Sequence, residues 1–152
     1  MMNNRYGLRS LTTLVLFGAL SLSSAVVYGQ EKPYTQGSVW SITMIRVKPG
    51  MFDVYMRDIL PLRKKLDEEA KKQGLILSDH ILSGTATGRD DFDVITLTEY
   101  KNWAAFDGID AKYEAIMSKV VGSEEKQVQL MTQRADARTI VGEKLMQELI
   151  IK

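Results

Sequence analysis

His80 is the only histidine among the 152 residues, and the chain has no cysteine. A metal site would have to rest on this one imidazole and nearby carboxylates, yet the adjacent Asp79 alternates to the opposite face of an extended segment. No metal and no cofactor is therefore expected. The remaining side chains able to move a proton or hold a ligand are phenols, hydroxyls and aromatic rings. His80 and Tyr100 are the candidate proton-handling groups. Trp103, Phe106, Tyr113 and Tyr55 recur at helical spacing and are candidates to line an apolar cavity, although aromatics so spaced most often fill a core. Ser41, Thr43, Ser78, His80, Thr96, Thr98 and Tyr100 alternate along extended segments, and on a shared face they would orient a ligand. Of these, Thr96 and Thr98 join the four aromatics as candidate binding residues. Arg46 and Arg89 could neutralise an anion, but each adjoins a turn, where a solvated arginine is the default. No phosphate-cradling glycine loop, nucleophile elbow or metal-spaced cluster occurs in the sequence.

The elements that must position these residues follow a leader. Arg5 and Arg9 precede an apolar run over residues 11–22, and small residues follow it, the three parts of a secretory signal. Thr12, Thr13, Gly18 and Ser21 dilute the run below the roughly 20 apolar residues of a spanning helix. Residues 1–29 are thus read as a cleaved signal peptide, with cleavage after Ala25 or Gly29 and no stable membrane span left behind. Localisation is expected to be periplasmic or secreted. Losing both arginines takes the formal net charge from +1 to −1, which leaves no basic excess for nucleic acid. The remaining chain suits one domain, held without disulfides by an apolar core.

Residues 30–37 are polar, carry Pro33 and Gly37 and show no period, so they read as a linker ahead of a domain over 38–152. Alternation predicts strands over residues 38–48, 75–83 and 92–100. Pro49 and Gly50 close the first strand. Tyr55, Ile59, Leu62, Leu66 and Ala70 then mark a helix ending at Gly74, with Pro61 predicting a kink or a division in two. On that helix Arg57, Arg63, Lys64, Asp67, Glu68 and Lys71 are assigned mostly to the wet face. A second helical stretch starts at Trp103, pauses at Asp107-Gly108 and runs to Gly122, with Asn102 and Asp107 as candidate caps. A further helix is expected over 123–138. The last segment, 145–151, fits helix or strand, and its β-branched end favours strand.

The order strand, helix, strand, strand, helix, extra helix, strand is the split βαβ arrangement of an α+β, ferredoxin-like domain with an antiparallel sheet. Helices would cover one sheet face and leave the other open, which calls for a homodimer packed sheet to sheet. Together with Ile45-Arg46-Val47-Lys48-Pro49-Gly50, Glu99-Tyr100-Lys101-Asn102-Trp103-Ala104-Ala105-Phe106 and Met146-Gln147-Glu148-Leu149-Ile150-Ile151, this order resembles the dimeric α/β-barrel superfamily. That group includes antibiotic-biosynthesis-type monooxygenases, haem-degrading monooxygenases and muconolactone isomerases. The resemblance spans residues 38–152, and all three pieces are structural in type, so it bears on fold. Haem-binding members carry their iron-binding histidine on a helix, whereas His80 falls on a predicted strand. With the signal segment, the aromatic helix face and the polar strand residues, the resemblance points to an exported homodimer binding a small apolar or aromatic ligand. Its alternatives are a cofactor-independent monooxygenase or isomerase acting on a small aromatic or quinol-like substrate, and a structural or interaction module of the cell envelope.

Overall fold

The computed structural model describes residues 31–88 and 90–152; the expected signal peptide and Arg89 lie outside the described residues. Strand β1 (Tyr34–Val47) alternates as its sequence does: Val39, Ile45 and Val47 are buried, while Trp40, Ile42 and Met44 remain half-exposed on the other face. It stops before Pro49 and Gly50, and Gly50 takes a φ of +76° that a Cβ would strain. The helix that follows comes in pieces, α1 (Phe52–Val54), a π-helical turn (Tyr55–Ile59) and α2 (Leu60–Lys72). Pro61 explains the division. It has no N–H to give and its ring would press on the carbonyl one turn back, so the chain widens and Leu60 N–H donates to the Tyr55 carbonyl instead.

Strands β2 (Ser78–Ser83) and β3 (Val94–Tyr100) form a hairpin whose loop is tied by Arg46, which donates to the carbonyls of Gly88 and Asp91. Arg46 is thus a structural tether. A 3-10 turn (Trp103–Phe106) leads through Gly108 into α3 (Ile109–Val120), then α4 (Glu124–Ala137) and β4 (Arg138–Ile151). Gly108, not Asp107, stands at the start of α3, and Asn102 caps the 3-10 turn with no side-chain hydrogen bond.

The sheet order is β2-β3-β1-β4 with every pair antiparallel, the ferredoxin-like arrangement expected from the element order, with α4 added before the last strand. Leu66 and Ala70 of α2 and Ile116 of α3 pack on Val39 and Tyr100, while Ala137 of α4 joins Tyr55, Ile59, Ile45, Val47 and Val94. All these contacts lie on one sheet face. Among the described residues no helix is long and apolar enough to cross a membrane.

Several boundaries differ from the sequence reading: β2 begins at Ser78 rather than at 75, and β3 at Val94 rather than at 92. The linker assigned to 30–37 ends early, because Tyr34, Thr35 and Gln36 pair with Ile151, Ile150 and Leu149. Their polarity reflects exposure on a strand end that outruns β3. Gly37 belongs to the irregularity there, where a Cβ would stand 2.6 Å from the Glu148 carboxylate. Strand β4 also starts seven residues before the expected 145, with no loop after α4.

Candidate functional site

The core is interrupted. Between its two apolar clusters β1 and β3 bring Ser41 opposite Thr98 and Thr43 opposite Thr96, a belt of four hydroxyls on the face beneath the helices. Thr96 is 1 % exposed and Thr98 7 %. Valine would fill such positions more stably, so hydroxyls in mid-core are the kind of local inconsistency found at binding sites. Ser41 and Thr43 stay half-exposed, and their neighbours on β4, Leu145 and Glu143, are exposed. The belt therefore opens toward β4, where the helices do not reach.

α2 lays charge over the belt. Arg63 Nη2 donates to Thr98 Oγ1 at 3.1 Å, and Arg63 Nε stands 3.1 Å from Asp67 Oδ2. Both had been assigned to the wet face. They belong to the buried stripe, because Arg63 lies four residues after Ile59, Asp67 four after Arg63 and Ala70 three after Asp67. At the far end the Tyr100 and Tyr113 hydroxyls meet at 3.2 Å. Burial, and then the bond to Tyr100, raise the Tyr113 phenol well above the ordinary tyrosine range, so it remains a protonated donor at neutral pH.

Burial likewise pushes the Asp67 carboxyl up, against the opposing pull of Arg63. A carboxyl that binds its proton more tightly folded than unfolded favours the fold at low pH. That contribution is lost as pH rises from about 4 through the raised folded value. Asp67→Asn keeps the shape without the charge, so its urea midpoint relative to the parent should increase between pH 4 and pH 7. A relative midpoint that falls over this range would mean that the pairing with Arg63 outweighs desolvation.

The residues singled out by sequence divide into three places. Tyr100, Phe106, Trp103 and Tyr113 gather at one end of the belt, with ring centroids 4.5 Å apart for Tyr100 and Phe106 and 6.1 Å for Phe106 and Trp103. Trp103 is 48 % exposed, and its Nε1 donates to Gln147 Oε1 at 2.9 Å, joining the 3-10 turn to β4 beside the opening. Tyr55 lies apart, fully buried in the other cluster, where its hydroxyl accepts from Arg138 Nη1 at 3.1 Å. His80 and Ser78 are on the open sheet face, His80 stacked 6.2 Å from Trp40 and Ser78 bonded to Glu99. Alternation decides this: His80 pairs with Leu97, whereas Thr96, Thr98 and Tyr100 point the other way. Within one protomer His80 and Tyr100 therefore cannot serve one site, and only Tyr100 accompanies Trp103.

No protein-family profile matches the chain, and no curated protein matches it in sequence. Solved structures are similar to it at the level of shape. HapK from Hahella chejuensis matches at a TM-score of 0.41 and 12% identity, covering 72% of this chain and 91% of its own. A dimeric ferredoxin-like protein from an uncultured marine organism matches at 0.43 and 16%, covering 78% of this chain and 96% of its own. A dimeric protein of unknown function and ferredoxin-like fold from Bacteroides fragilis matches at 0.43 and 11%, covering 76% and 98%.

Proposed function

We propose that this protein is an exported homodimer that binds a small, largely apolar or aromatic ligand in the hydroxyl belt between sheet and helices. The observation that carries the reading is the belt itself, Thr96 at 1 % exposure set with Ser41, Thr43 and Thr98 between two apolar clusters. The open edge at β4 offers a ligand access, and the Tyr113 phenol supplies a donor. Two phenols face one another beside Trp103. The protonated Tyr113 phenol can donate to a ligand, which fits a binding role.

The homodimer is supported by the sheet face opposite the helices, where Trp40, Ile42, Met44, Ile95 and Leu97 are half-exposed and Leu82 is 55 % exposed. A contiguous apolar face of this kind calls for cover. Export rests on residues 1–29, and N-terminal sequencing of the processed protein should begin at Val26 or Gln30.

The fluorescence of 2-naphthol, a neutral bicyclic phenol, tests the ligand reading. The parent should bind it, and Thr96→Val should weaken binding about threefold to tenfold, the size of one hydrogen bond, while stability stays level or rises. A parent that takes up no naphthol, or a valine variant that binds it as well, would sink the proposal.

A further inference from the structure

A second feature lies away from the belt, and its reading does not depend on the belt binding anything. Because β4 begins directly where α4 ends, the last turn of α4 folds against the start of β4, and Lys48 N–H holds the junction by donating to the Ala137 carbonyl at 2.9 Å. An open groove of about 470 Å³ runs along this junction, within the size range of small-molecule sites. Lys48, Arg134, Arg138 and Thr139 line it together with Met131 and Ile140, and no acidic side chain does.

The two arginines differ in how they are held. Arg138 uses one N–H on the Tyr55 hydroxyl, and its guanidinium carbon lies 5.8 Å from the Tyr55 ring centroid, which leaves most of its donors free. Arg134 is half-buried, forms no ion pair or side-chain hydrogen bond among the described residues, and has its Nε buried without an acceptor. Desolvation, then repulsion from Arg138 and Arg63, weakens its hold on a proton, though an arginine still stays charged. The nearby Asp67 already pairs with Arg63. A half-buried guanidinium with no anion beside it is stabilised by an oxyanion placed in the groove.

We propose that the groove binds the carboxylate of a small organic acid, seated between Arg134 and Arg138, with the acid's apolar or aromatic body against Met131 and Ile140. The paired planar donors match a carboxylate in fork geometry, and Lys48 adds charge at the rim. Met131 and Ile140, 59 % and 47 % exposed, offer the body a surface to cover.

Calorimetry with 1-naphthoate and its neutral isostere 1-naphthamide tests this on the processed protein. Naphthoate should bind at least tenfold more tightly than naphthamide, and more weakly as salt is raised. Arg134→Met should remove that preference, Arg134→Lys should restore part of it, and Thr96→Val should leave it unchanged. Arg138→Met also loses the bond to Tyr55, so Arg134 carries the test, with thermal melts confirming that its variants fold. Equal binding of acid and amide, or undiminished naphthoate binding by folded Arg134→Met, would overturn the proposal. Inorganic phosphate binding as tightly as naphthoate would overturn the assignment of an apolar body. A parent protein that shows no preference for naphthoate while still binding naphthol would refute the groove and spare the belt.

Discussion

Ile42→Asp should convert the protein from a dimer to a monomer at micromolar concentration, read as a halving of mass in sedimentation equilibrium. Ile42 sits in mid-strand on the open face of β1, between Leu97 on β3 and Lys144 on β4, and is already half-buried before any partner arrives. In a two-fold interface one substitution appears twice, so two carboxylates would be desolvated near the symmetry axis. Lys144 opposite on β4 offsets each carboxylate only in part, and desolvating both charges together costs several kcal/mol, enough to dissociate the pair at micromolar concentration. The same change at Lys112 on α3, on the opposite side of the sheet, should leave the mass unaltered. A parent that sediments as a monomer at 100 μM, or an Ile42→Asp protein that stays dimeric, would remove the homodimer from the proposal.

That expectation was open to sequence because the alternation of β1 and β3 is strict: Val94, Thr96, Thr98 and Tyr100 against Ile95, Leu97 and Glu99 defines two faces before any coordinates exist. The division at Pro61 and the stop at Gly122 were legible for a similar reason, since each is a local constraint on the backbone. What could not be read locally was pairing. Tyr34 to Gln36 look like linker until β4 lies beside them, and β4 itself is long only because β1 is there to receive it. The site shows the same split. Thr96 and Thr98 were legible as inward hydroxyls once their strand was fixed, but Ser78 and His80 ended on the other face because β2 meets β3 in a register that no single strand reveals. Arg63 and Asp67 carried a readable signal, helical spacing with Ile59 and Leu66, and were set aside because charge was equated with exposure. Arg134 and Arg138 carried none: four residues apart across a helix-to-strand junction, they converge only because α4 and β4 meet without a loop.

Tyr55→Ala should cost about 3–5 kcal/mol of stability, the range for deleting a buried aromatic ring. Tyr55 is fully buried, and its ring touches the cluster that joins β1, β3, the π-helical turn and α4 through Ile45, Val94, Ile59 and Ala137. The backbone there is held where the Tyr55 carbonyl receives Leu60 N–H across the widened turn. Against a total stability of about 5–15 kcal/mol, such a loss should bring the urea midpoint down by about a fifth or more. An unfolding free energy within about 1 kcal/mol of the parent would show that the cluster is not the structural joint described here. Tyr55→Phe is the informative companion. It keeps the ring and the packing and removes only the hydroxyl that accepts from Arg138, at a cost of about 1 kcal/mol. If the hydroxyl serves to hold Arg138 over the groove, the phenylalanine variant should fold normally and bind 1-naphthoate more weakly, leaving its affinity for 2-naphthol untouched. Stability and acid recognition then separate at a single oxygen atom, a separation that a purely structural role for Tyr55 does not allow.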